Sequence, residues 1–295
     1  QLSMWLPARE FIGKPHVDLE YAWYHLKPII LLFLPQIAIS LYVTLDRTML
    51  GVLASTKDVG IYDQALKLVN ILLTLVTSLG SVMLPRVANL LATNNHEEVN
   101  KMHEISFLVY NLIIFPIMAG MLIVNDDFVQ FFLGQDFQDA RFAIAIMIFR
   151  MFFIGWTNIM GIQILIPHNK NKEFMISTTV PAITSVGLNL LFLPKLGYMG
   201  AAIVSVLTEA FVWAIQLFFT RKYIKDVPII GSMMKIILAS AIMYGLLLVS
   251  KTVIHFSPTI NVLAFAVIGG IIYLFAILSL KVVDVKELKQ IIRKN

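Results

Sequence analysis

The chain has 295 residues, 58% of them hydrophobic and only 14% charged, with a mean hydropathy of +0.81; an average soluble domain is about a quarter charged, so water is not its principal solvent. The absence of cysteine excludes disulfides and thiolate metal centres and leaves stability to helix packing in lipid. A net charge of +5 from 23 Lys and Arg would suggest a nucleic-acid partner in a soluble chain, but in an apolar one the basic residues first report topology, and no nucleic acid is expected.

Residues 1–27 hold Arg9, Glu10, Lys14, Asp18 and Glu20, too much charge for a secretory signal peptide. They read as a cytoplasmic linker and juxtamembrane helix, and the Gln1 start suggests a fragment or processed form of something longer. Eight apolar runs follow, each near the 20 or so residues that cross about 30 Å of hydrocarbon. They extend over Pro28 to Arg47, Ala65 to Pro85, Ile105 to Val124, Phe142 to Ile166, Met175 to Leu193, Gly200 to Phe219, Met233 to Ser250 and Ile260 to Leu280. None alternates apolar and polar residues as a barrel strand would, so the expected fold is an all-α polytopic transmembrane helix bundle.

Sixteen Lys and Arg fall in one alternate set of flanking segments, which includes both termini, and five in the other. By the positive-inside rule eight spans then place both ends in the cytoplasm. The acidic group Asp126, Asp127, Asp136 and Asp139 lies on the outer side. The tail 281–295 mixes charge with Val285, Leu288, Ile291 and Ile292 at helical spacing and reads either as an amphipathic helix on the inner leaflet, its basic side near anionic lipid, or as a frayed terminus.

An ionised side chain at the bilayer centre costs about 2.5 to 3.5 kcal/mol, so each one needs a partner or a wet cavity. In the first run Gln36, Ser40 and Arg47 share a helical face, with Asp46 one position off it. Either this is a polar stripe aimed at a cavity, or Asp46 and Arg47 mark the outer helix end and reach the headgroups. In the fourth run Arg150 lies about two turns in, with Asn158 and Gly161 on nearly the same face. A permanently charged guanidinium at that depth points to phosphate binding in an aqueous vestibule, with an ion pair to a buried acid as the alternative. Glu209 in the sixth run sits among Ser205, Trp213 and Gln216. It could couple to H⁺ or Na⁺, or balance Arg150.

Asn70, Thr74, Thr77 and Ser81 in the second run, and Thr178, Ser185 and Asn189 in the fifth, also recur at helical spacing. Singly such residues join helices; together they suggest one polar face on each of five spans around a hydrated cavity. The last two runs are nearly featureless and are expected at the periphery. Pro35, Pro116 and Pro181 inside the runs suggest bent helices.

The six histidines, His16, His25, His96, His103, His168 and His255, are scattered over segments expected to be aqueous, without paired ligand spacing. There is no phosphate loop and no nucleophile elbow. No enzyme chemistry, no metal and no cofactor other than a coupling H⁺ or Na⁺ is expected. The internal gaps, of about 20 residues at most, are too short to hold the large aqueous loop of a membrane glycosyltransferase or polymerase.

Several strings resemble a known family in order and spacing. These are Leu45-Asp46-Arg47-Thr48-Met49-Leu50-Gly51, Val59-Gly60-Ile61-Tyr62, Leu84-Pro85-Arg86, Phe132-Leu133-Gly134-Gln135-Asp136-Phe137, Gln163 to Lys170, and Asn189 onward through Leu193 to Ala202 to Glu209. Together they resemble the second lobe of bacterial polysaccharide and oligosaccharide-lipid flippases of the multidrug/oligosaccharidyl-lipid/polysaccharide exporter superfamily. The resemblance implies a six-helix second lobe over 28–224 and two additional transmembrane helices over 225–280. It implies movement of undecaprenyl-diphosphate-linked sugar repeats, such as capsule units, from the inner to the outer leaflet of the bacterial cytoplasmic membrane. Expected partners are the polyprenyl-diphosphate-linked glycan, membrane lipids, and the polymerase and glycosyltransferases of the same pathway. Teichoic-acid or peptidoglycan lipid-precursor transport, and drug/cation antiport within the superfamily, are the alternatives.

Overall fold

The computed structural model describes residues 19–253 and 256–282. Residues 1–18 of the linker and juxtamembrane helix expected over 1–27, and residues 283–295 of the tail expected over 281–295, lie outside the described residues. Within them the chain is helical throughout, with α1 over Leu19–Leu53, α2 over Thr56–Ala92, α3 over His96–Leu133, α4 over Ala140–Met147 and α5 over Arg150–Thr157. A widened helical stretch covers Asn158–Leu165, followed by α6 over Asn171–Ile224, α7 over Ile229–Val253 and α8 over Pro258–Ser279. Five stretches are long and apolar enough to cross a membrane: α3, the continuous rod 140–165, α6, α7 and α8. The protein is a multi-pass membrane protein. Each of the eight apolar runs falls on its own rod once α6 is taken as two limbs about Gly197.

The helix ends carry their own signals. Ser55 caps α2 by accepting from the Asp58 N–H, and the Asp58 carboxylate accepts in turn from the Ser55 hydroxyl. Asn95 caps α3 by accepting from the Glu98 N–H, satisfying donors that a helix start leaves free.

The prolines inside the spans leave their helices unbroken. α1, α3 and α6 run on through Pro35, Pro116 and Pro181, because neighbouring groups in a bundle can take up the freed backbone carbonyls. The chain breaks instead at Gly197, where φ is +51° and ψ is −132° inside α6, a conformation open to glycine and few other residues. There Asp58 of α2 accepts from the Tyr198 N–H at 3.1 Å, so one carboxylate joins the start of α2 to the second limb of α6. The other departure is at 158–165, where the Ile166 N–H bonds back five residues to the Gly161 carbonyl and each turn holds one residue more than an α-turn.

The core lies between α2, α3, the 140–165 rod and the second limb of α6, around Tyr62, Phe107, Tyr110, Met147 and Ile159. α1 packs along α6, while α7 and α8 pair with each other and lean on α3, leaving Leu246, Val249, Ile271 and Phe275 exposed. Tyr273 of α8 donates to the Leu112 carbonyl of α3.

Candidate functional site

The polar residues of the spans separate into a buried network and an open face. In the network, Arg150 and Glu209 form an ion pair, Nη2 to Oε1 at 3.2 Å, with each side chain 6% exposed. Tyr42 of α1 donates to the same Glu209 oxygen at 2.8 Å. Asp46, one turn on from Tyr42, accepts from the Asn189 amide at 2.6 Å and from the Tyr62 hydroxyl at 3.4 Å. α1, α2, the 140–165 rod and both limbs of α6 each contribute to this group.

The vestibule expected beside Arg150 is not there. The guanidinium is buried against a carboxylate, which is the other of its two sequence readings, and Glu209 supplies the balancing charge. Asp46 does not lie at a wet helix end either; it is 2% exposed. The physical reason is one helical position: Tyr42, Asp46 and Leu50 lie on the buried side of α1, whereas Ser40, Thr44 and Thr48 lie on its open side.

The open face runs over α1 and α2. Gln36 and Ser40 on α1 and Asn70 and Thr74 on α2 are all exposed, with the Thr74 hydroxyl donating to the Asn70 carbonyl of its own helix. At one end of this face Arg47 contacts Asp63 at 2.9 Å and Lys67 contacts the other Asp63 oxygen at 2.8 Å. Two cations thus share one carboxylate and leave a surplus positive charge on side chains that are 41% and 58% exposed. Of the two candidate arginines, Arg47 is the accessible one.

Asn158 lies on neither surface. Its side-chain oxygen accepts from the Tyr110 hydroxyl at 2.6 Å and sits against Gly80 of α2, where a Cβ would overlap it. This places it in the packing between α2, α3 and the widened stretch. His103, expected in an aqueous segment, is fully buried in α3 on the same helix face as Ser106, whose hydroxyl donates to Gln163 at 2.7 Å. Neither Tyr42 nor Tyr62 was given a role at the sequence level. The spacing of Tyr42 and Asp46 could have revealed the first; Tyr62 ends one of the motif strings, but its contact with Asp46 comes only through the α1–α2 packing.

An apolar cavity lies elsewhere. It measures about 540 Å³ and lies between α3, α7 and α8, lined by Pro116, Gly120, Phe265 and Gly269 among others. No group of three or more metal-ligating side chains occurs among the described residues.

The profile of a family described as polysaccharide biosynthesis protein matches residues 8–141. A protein from Escherichia coli (strain K12) named for O-antigen transport is 26% identical over 211 residues, 72% of this chain and 51% of that protein. A Haloferax volcanii protein, Agl15, named as a low-salt glycan biosynthesis flippase, is 19% identical over 257 residues, 85% of this chain and 53% of its own length. Among solved structures, the lipid II flippase MurJ in an inward closed conformation aligns with a TM-score of 0.74 at 17% identity, covering 90% of this chain and 56% of MurJ; the two share a fold. The chain spans about half the length of the relatives it matches. These matches bear out the resemblance drawn from the sequence motifs: the chain is similar to membrane flippases of polysaccharide biosynthesis. The relatives named for an activity are transporters and flippases, not enzymes.

Proposed function

We propose that the chain forms one lobe of a flippase that carries an undecaprenyl-diphosphate-linked oligosaccharide from the inner to the outer leaflet of a bacterial cytoplasmic membrane by alternating access. All eight rods cross the membrane with both ends in the cytoplasm, in keeping with the lysine and arginine excess on one side. Residues 28–224 make the transport lobe, and 225–280 add two helices at its edge.

The observation that carries this reading is the open face of α1 and α2. Gln36, Ser40, Asn70 and Thr74 are exposed there beside the half-exposed Arg47. Polar side chains exposed to acyl chains would be costly, so the face belongs against water, opposite a second wall like the half of the relatives that this chain does not span. Arg47 and Lys67 attract the diphosphate as it passes, and the amides and hydroxyls hold sugars by single hydrogen bonds weak enough to release them. The buried Arg150, Glu209 and Asp46 act from behind the face. Glu209 and Asp46 balance charge and are the groups through which H⁺ or Na⁺ would couple to transport.

The test is Arg47→Ala in cells that depend on the protein for surface glycan. Export falls sharply at unchanged protein level, and mass spectrometry of the lipid extract identifies the cargo that accumulates. An accumulated teichoic-acid or peptidoglycan precursor would redirect the cargo assignment. Unaltered export would remove Arg47 from the path.

A further inference from the structure

Where the basic end of the bundle meets the α6 terminus, three elements converge: the start of α3 at His96, the turn 166–170, and the last turns of α6. The ring of His168 lies against Tyr223, tilted by 44° with centroids 4.1 Å apart. Its Nδ1 lies 2.7 Å from the Ile164 carbonyl, which fixes the proton on that nitrogen and leaves Nε2 for another partner. The Lys222 ammonium lies 4.8 Å from the centre of the same Tyr223 ring. Asn169, with φ +55°, turns the chain so that Lys170 stands at the head of α6. No side chain caps that helix, so its first N–H groups, at the positive end of the helix dipole, have no side-chain partner at the cap.

Basic groups crowd His168: Lys170 and Lys222 act on it together with His96, while Glu173 lies 3.3 Å from Lys170 and Glu97 and Glu98 of α3 and Asp226 after α6 are further acids on these elements. The surroundings say what kind of anion would relieve it. Phe218, one turn before Lys222 on the same face, is 58% exposed, and the Arg221 guanidinium lies 4.5 Å from its ring centre. Apolar surface beside basic headgroups marks the depth at which lipid phosphates lie.

We propose that His168, Lys170 and Lys222 bind the phosphate of an anionic membrane-lipid headgroup, with the acyl chains along Phe218. Burial, first, and then the neighbouring basic groups hold the His168 pKa below the ordinary histidine value, the bond to Ile164 acting in the other direction. A phosphate between them favours the protonated ring, so by linkage the site tightens as pH falls through the histidine range. The proposal is independent of the cargo.

The test uses the intact protein in nanodiscs of phosphatidylcholine doped with phosphatidylglycerol, with retained lipids counted by native mass spectrometry. The wild type retains phosphatidylglycerol preferentially, and several-fold more so at about pH 6 than at about pH 8, either side of the ordinary histidine pKa. Lys170→Ala with Lys222→Ala abolishes the preference, Lys235→Ala on α7 leaves it intact, and His168→Gln flattens its pH dependence. An unchanged preference in the double variant, an equal loss in Lys235→Ala, or full displacement of the lipid by inorganic phosphate would overturn the proposal. If the double variant fails to fold, the pH comparison of wild type with His168→Gln decides alone.

Discussion

Arg150 Nη2 lies 3.2 Å from Glu209 Oε1 with both side chains almost fully buried, so each of these buried charges is neutralised within the bundle. Removing one member of such a pair strands the other and costs about 3 to 5 kcal/mol. Arg150→Ala and Glu209→Ala should each lower the melting temperature and the membrane level of the protein. Replacing both, as Arg150→Met with Glu209→Leu, should recover most of the loss. A double-mutant cycle by thermal unfolding in detergent checks this. Additive losses would show that the pair is not coupled.

Arg47 should behave in the opposite way. It is partly exposed and shares Asp63 with Lys67, and exposed pairs contribute about 0 to 1 kcal/mol. Arg47→Ala therefore leaves the melting temperature nearly unchanged while reducing glycan export. Export per protein molecule, compared with Arg150→Ala, separates a residue on the path from one that supports it.

Gly197 is held by geometry and by Asp58. Its φ and ψ are adopted by few residues other than glycine, and a Cβ would come within 2.6 Å of the Asp58 carboxylate. Gly197→Ala should cost about 1 to 3 kcal/mol. Asp58→Ala, which removes the Tyr198 contact and disturbs the start of α2, should cost about 0.5 to 2 kcal/mol, the range for a lost cap. Since the two share a contact, the double variant should lose less than the sum, as measured by thermal unfolding.

Gly80 and Asn158 make a similar pair across α2 and the widened stretch. Gly80→Ala forces a methyl into the Asn158 amide and should destabilise by about 1 to 3 kcal/mol through overpacking. Adding Asn158→Ala should restore part of this, less about 0.5 to 1.5 kcal/mol for the lost Tyr110 hydrogen bond. A melting series of the four proteins reads out the sign of the coupling.

Helix positions were legible because hydrophobic length is a local property of the chain. The rods follow the apolar runs from Pro28 to Leu280, while the caps at Ser55 and Asn95 emerge from the structure. What was not legible is which way a polar side chain turns. Asp46 and Arg47 are adjacent, yet one is locked to Asn189 and Tyr62 and the other reaches Asp63 at the surface. Partners separated by 143 and 59 residues, Asp46 with Asn189 and Arg150 with Glu209, leave no periodic trace, since each is chosen by helix packing. The break at Gly197 was not read from the sequence, where the prolines stood out: a bundle supplies substitutes for the backbone bond a proline removes, whereas few residues other than glycine adopt the Gly197 torsion angles.

The widened stretch from Asn158 to Leu165 amounts to stored slack. One surplus residue is wound into the wall between Arg150 and His168, and a chain lacking it could close the same path with ordinary turns while both flanking ends kept their orientation. Single-residue deletions, ruinous in the neighbouring rods because they rotate everything beyond them by about 100°, should be tolerated here.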